Sequence, residues 1–207
     1  MGTVIGMQLL WALRKHDRYF DARWRTQRAG GGGPALINLI HDIDLMRGIA
    51  GNVNRVYAEL GHTARGLEVE DTISATLRFD SGTLGCVLTS DATPSPWGWE
   101  QGSGENPNVP ASRENCLHIL GTAGAISLPA LQHHRPRPGG SPDWRTPIES
   151  DAIEVGERAA LRSQLDEFCR VMRGESAPTV TGADGLAALA TTLAVIESGK
   201  TGRPIDL

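Results

Sequence analysis

The sequence predicts an α+β domain built on one mainly antiparallel, open sheet of about six strands, with three helices on one face. Apolar residues alternate at period two in several short segments. Most of these segments are joined by turns, and helical periodicity is confined to one central stretch and two near the C-terminus. The other sheet face is then free to pair with a second copy, as a dimer or a tetramer. At 207 residues the chain can bury a core as a single domain. A net charge of −4 gives no electrostatic pull toward nucleic acid, and no apolar run reaches the roughly 18 residues of a membrane helix. The opening MGTVIGMQLLWALRK lacks the basic region and cleavage site of a secretion signal, so a cytoplasmic protein is expected. Cys86, Cys116 and Cys169 are odd in number and lack metal-ligand spacing. They are expected as buried free thiols in a reducing compartment, with no metal.

The first strand is expected over TVIGMQLLWAL, with Ile5, Met7, Leu9, Trp11 and Leu13 on one face and Gly6, Gln8 and Ala12 on the other. A core strand this close to residue 1 suggests that a further segment lies upstream. After a polar loop, Pro34 opens a helix whose Leu36, Leu39, Ile40, Ile43, Met46 and Ala50 form an apolar stripe, and Gly51 caps it. Strands follow at 53–60 and 72–79, and DSG turns the second into TLGCVLTS. Residues 91–113, rich in Pro, Gly, Ser and Asn, form a loop too long for a mere connector. CLHIL and AISLPAL make a second hairpin around GTAG, and a Pro-rich excursion precedes two helices. Ala160, Leu161, Gln164, Leu165, Phe168 and Met172 line the first helix; Thr181 and Asp184 form a capping box for the second, which Gly199 stops.

The segment GGGGPALINLIHDIDLMRG holds the densest chemistry. Gly30, Gly32 and Ala35 formally satisfy G-x-G-x-x-A, but no hydrophobic strand precedes them, so a flexible hinge that lets backbone approach a ligand is the preferred reading. Asn38, His41 and Asp42 lie at i, i+3 and i+4, and Asp44 one turn beyond His41. An imidazole among carboxylates can shuttle a proton near neutral pH; a solvated polar face is the other reading. In SPWGWE, Trp97 and Trp99 beside Glu100 offer flat faces suited to sugar rings, or else pin the loop to the core. Arg14 and Arg25 could meet an anion, or remain surface charges, and His133 and His134 read as solvated.

GGGGPALINLIHDIDLMRGIAG, SDATPSPWGWEQGSGENP, ILGTAGAISLP, QLDEFCRVMRGES and TGRPIDL together resemble the C-terminal domain of the glucose-fructose oxidoreductase and inositol dehydrogenase (Gfo/Idh/MocA) family. The resemblance covers nearly the whole chain. It implies a dihydrodipicolinate-reductase-like C-terminal domain that shapes a substrate pocket and mediates oligomerisation. It further implies an N-terminal Rossmann domain, outside this sequence, that binds NAD or NADP. His41 would be the catalytic histidine, and Trp11, Arg14, Asn38, Asp44, Trp97 and Trp99 would line a pocket for a sugar, cyclitol or related polyol. Where the family commonly has an Asp four residues before this His, the sequence has Ile37, with Asn38 one place on. The alternative function is a non-catalytic sugar-binding or dimerisation module that retains the fold.

Overall fold

The computed structural model describes residues 1–141, 143–156 and 159–207. Its nine-stranded sheet contains β1 (Val4–Ala12), β2 (Val53–Gly61), β3 (Thr72–Phe79), β4 (Leu84–Ser90), β5 (Leu117–Gly121), β6 (Gly124–Leu128), β7 (Gln132–Pro136), β8 (Ile148–Ala152) and β9 (Ile205–Asp206). The spatial order is β8-β7-β6-β5-β1-β4-β3-β2-β9. Among the described residues only β1 with β4 pairs parallel, and the other pairings are antiparallel. The α+β expectation therefore stands, with nine strands in place of about six. The extra strands β7 and β8 come from the Pro-rich segment; β8 is the sheet edge and holds no proline, and Pro136, the last residue of β7, lies past the end of the β6 pairing, where no ladder bond to β6 is lost.

Helix α1 (Ile40–Ala50) and helix α4 (Gly182–Thr201) cover one face of the sheet and pack on each other. Ile43 and Met46 of α1 and Val195 and Ile196 of α4 join Leu9, Val56, Ile73, Leu77, Phe79 and Val87 of the strands in one core. Thr181 caps α4 by accepting from the Asp184 amide while the Asp184 carboxylate accepts from the Thr181 amide. Thr181→Ala is expected to cost about 1 kcal/mol in chemical denaturation. Gly199 does not end α4: the helix runs to Thr201 and Gly202 caps it in the left-handed conformation. Gly199 is small because Leu60 of β2 packs directly against it.

Four other expectations are corrected. Ile5 is exposed, because a bulge between Val4 and Gly6 shifts the start of β1 out of the alternation that buries Met7, Leu9 and Trp11. The 91–113 loop contains a short helix, α2 (Trp99–Ser103). Helix α3 (Ala160–Met172) has the expected apolar stripe but buries none of it: Leu161 is 83% exposed and Met172 71%. Cys116 is buried, whereas Cys86 and Cys169 are exposed, and all three thiols are free. No helix among the described residues is long and apolar enough to cross a membrane.

Candidate functional site

The start of the His41 helix is fixed by a buried carboxylate. Glu70, 1% exposed, accepts a hydrogen bond from the Ala35 amide at 3.2 Å and an ion pair from Arg28 at 3.3 Å. The negative charge sits where the unpaired amides of the helix start collect. Glu70→Ala is expected to cost about 3 kcal/mol, read by urea denaturation, because it strands the Arg28 charge and the Ala35 donor.

The glycines before the helix serve this packing. A Cβ on Gly32 would lie 2.6 Å from the Trp24 carbonyl oxygen, and one on Gly33, at φ +94°, would lie 2.5 Å from Glu70 Oε1. The Trp24 and Arg25 backbone fills the space at Gly32 and the Glu70 and Val69 side chains that at Gly33, which corrects the hinge reading there. The run offers no cradle for a pyrophosphate. Gly32→Ala is expected to destabilise the fold by about 2 kcal/mol or more, read by thermal or urea unfolding.

Residues 35–39 form a single π turn before α1 begins, one residue wider per turn than an α-helix. π turns recur at functional sites. Asn38 of this turn and His41, Asp42 and Leu45 of α1 share one face and line a cavity of about 300 Å³ with Trp11 of β1 and Trp99 and Glu100 of α2. Trp11 is buried, and the exposed His41 ring borders the opening. The site thus combines two indoles, an amide, an imidazole and two carboxylates.

Asp42 is the most perturbed group in this cavity. It is 7% exposed, and burial pushes its carboxyl up to about 7, with the nearby Glu100 charge acting in the same direction. Cys116, just before β5, feels the same surroundings: burial, then the charges of Asp42 and Glu100, push its thiol up to about 12, so it stays protonated and inert. Among the described residues no cluster of His, Cys, Asp and Glu is arranged to hold a metal ion.

The structure gathers Trp11, Asn38, His41 and Trp99 of the expected site and leaves three residues outside. Asp44 turns from His41 toward Arg47, 3.6 Å away, and lines a separate hollow with Thr179 and Asp184. Arg14 pairs with Asp17 at 3.7 Å and lines a neighbouring hollow with Lys15. Trp97 is exposed and contributes its backbone carbonyl, which accepts from the Ala12 amide at 2.6 Å. Arg25 stacks over Tyr19 at 3.9 Å and donates to its carbonyl, and does not line the cavity. His134 is not merely solvated: its Nε2 and Nδ1 meet Ser127 and Ser150 across the sheet. Sequence reasoning placed Asp42 on the helix face with His41 and Glu100 beside the tryptophans, without counting either as a pocket residue. The signal available was their position, Asp42 four residues after Asn38 and Glu100 directly after Trp99.

The whole chain is similar to known oxidoreductases. The family described as oxidoreductase family, C-terminal alpha/beta domain, matches residues 2–207. A 1,5-anhydro-D-fructose reductase of Ensifer adhaerens is 25% identical over 187 residues, covering 89% of this chain and 50% of the reductase. The WlbA dehydrogenase of Bordetella pertussis, solved with NADH and UDP-GlcNAcA, superposes with a TM-score of 0.70 at 25% identity, over 100% of this chain and 55% of that one. The aldose-aldose oxidoreductase of Caulobacter crescentus gives a TM-score of 0.73 at 20% identity, over 100% of this chain and 56% of that one, and shows the same fold. This chain spans about half the length of these relatives. It belongs to the Gfo/Idh/MocA oxidoreductase family, matching that family's C-terminal alpha/beta domain.

Proposed function

We propose that this chain is the substrate-binding and proton-handling domain of a nicotinamide-dependent oxidoreductase acting on a sugar, cyclitol or related polyol. One observation carries the reading: His41 opens onto a cavity whose other walls are the indoles of Trp11 and Trp99, the Asn38 amide and two carboxylates. Flat apolar faces beside hydrogen-bonding groups suit a sugar ring. The Ensifer adhaerens relative is by name a sugar-derivative reductase, and the Bordetella pertussis dehydrogenase was solved with NADH.

In this reading Trp11 and Trp99 bind the ring face, Asn38 orients a hydroxyl, and His41 exchanges the proton of the hydroxyl being oxidised or formed. The cofactor, NAD or NADP, supplies hydride chemistry and is held by a separate N-terminal nucleotide-binding domain, since Gly30, Gly32 and Gly33 of this chain pack against its own residues. The exposed apolar stripe of α3, with Leu186 and Leu193 of α4, supports a further domain that covers these helices. Tyr57, Leu84, Leu88 and Leu120, exposed on the open sheet face, support assembly into a homodimer or tetramer through that face.

The test uses the polypeptide that joins this chain to its nucleotide-binding domain, supplied with NAD or NADP and a panel of polyols and sugars. Nicotinamide absorbance should change with at least one of them. A non-catalytic sugar-binding module would bind sugar and transfer no hydride.

A further inference from the structure

We infer that Asp42 and Glu100 form the selective end of the cavity, an acidic pair that reads the hydroxyl donors of an uncharged sugar and rejects sugars carrying a carboxylate or phosphate. The inference rests on the cavity being a sugar site and adds which class of sugar it takes.

The arrangement of acid groups in the cavity is unusual. Two carboxylates line one cavity of about 300 Å³, and neither makes an ion pair among the described residues. Asp42 is 7% exposed and, among the described residues, accepts no side-chain hydrogen bond, and Glu100 Oε2 is sealed from solvent with no partner among them. Buried acceptors without donors are costly, so such atoms point to donors supplied by a ligand. A polyol provides pairs of neighbouring O–H donors, whereas a second anion would meet two like charges in a low-dielectric space.

The groups around the pair leave it acidic. His41 borders it from the same helix and the protonated Cys116 faces it from beside β5. Lys15 shares the neighbouring hollow with Glu100, and the charges of Glu100 and Asp91 favour its ammonium; the larger effect is burial, which lowers its affinity for a proton, and the ammonium lies over the Tyr19 ring at 4.8 Å. Arg14 and Arg25, the residues able to clamp an anion, are spent on Asp17 and on the Tyr19 ring and carbonyl.

The test compares D-glucose with D-glucuronate, which differ by one carboxylate, binding to this chain by calorimetry or NMR titration. At about pH 8, with Asp42 ionised, glucose should bind at least roughly tenfold tighter, and the preference should narrow severalfold by about pH 5.5 as Asp42 takes up its proton. Asp42→Asn should hold the preference near its low-pH value across the range, and Glu100→Gln should reduce it at every pH. Carbon-13 NMR titration of the Asp42 carboxyl reads the pair without any sugar. Equal binding of both sugars, a preference indifferent to both substitutions, or an Asp42 carboxyl titrating near 4 would overturn this inference alone. Failure of both sugars to bind would contradict the sugar reading itself, and this inference with it.

Discussion

His41→Ala is expected to lower turnover of the complete enzyme by about 10²- to 10⁴-fold, the range lost when a positioned general acid or base is removed. KM should change by less than about threefold, because ring binding rests on Trp11, Trp99 and Asn38, which the substitution leaves in place. Stability should stay within about 0.5 kcal/mol, since the ring is exposed and makes no side-chain hydrogen bond among the described residues. His41→Gln separates two roles. A glutamine donates and accepts hydrogen bonds but does not exchange a proton near neutral pH. If His41 merely orients the sugar, Gln restores much of the activity; if it moves a proton, Gln is as inactive as Ala.

Asp42→Asn should have the opposite character, a gain of stability that depends on pH. Burial raises the Asp42 carboxyl from 3.8 in the ordinary state to about 7 in the fold. Between those values the folded chain holds a proton that the unfolded chain has released, so stability falls as pH rises through this window. Above about pH 7 the full cost of the buried carboxylate is present; below about 4 it is absent in both states. The displacement corresponds to at most about 4 kcal/mol, and local water around an open cavity brings the expected gain at about pH 8 nearer 2 kcal/mol. Urea denaturation of both proteins at about pH 5 and pH 8 checks this: the advantage of the asparagine variant must grow with pH. An advantage that is absent or shrinks would place Asp42 in ordinary contact with water.

The strands from β1 to β6 and helices α1, α3 and α4 were legible because each carries a regular period bounded by glycine, proline or a cap. Strands β7 and β8 were not, since proline and glycine dominate the segment around them, and the Pro136 of β7 falls where that strand has run past β6. Asn38 and His41 were legible on one helical face, and Trp11 by its place at the end of a strand. Asp44 failed by geometry: the face that enters the cavity is the 38, 41, 42, 45 stripe, and Asp44 lies off it, next to Arg47. Asp42 was legible on that face, but its burial was not, because a carboxylate in a polar helix segment ordinarily points to water. Its surroundings come from parts of the chain distant in sequence, Trp11 of β1 and Trp99 and Glu100 of α2. The exposed stripe of α3 shows the complementary limit, as a period reveals which face is apolar but not what covers it.

The central claim, that the cavity between α1, β1 and α2 receives the sugar, is tested most directly by the indole N–H signals of the five tryptophans during titration of this chain with the sugar it binds. The signals of Trp11 and Trp99, which line the cavity, should move together and saturate at one concentration, while Trp24 and Trp144 stay still. Saturable binding that leaves Trp11 and Trp99 unmoved would contradict the account.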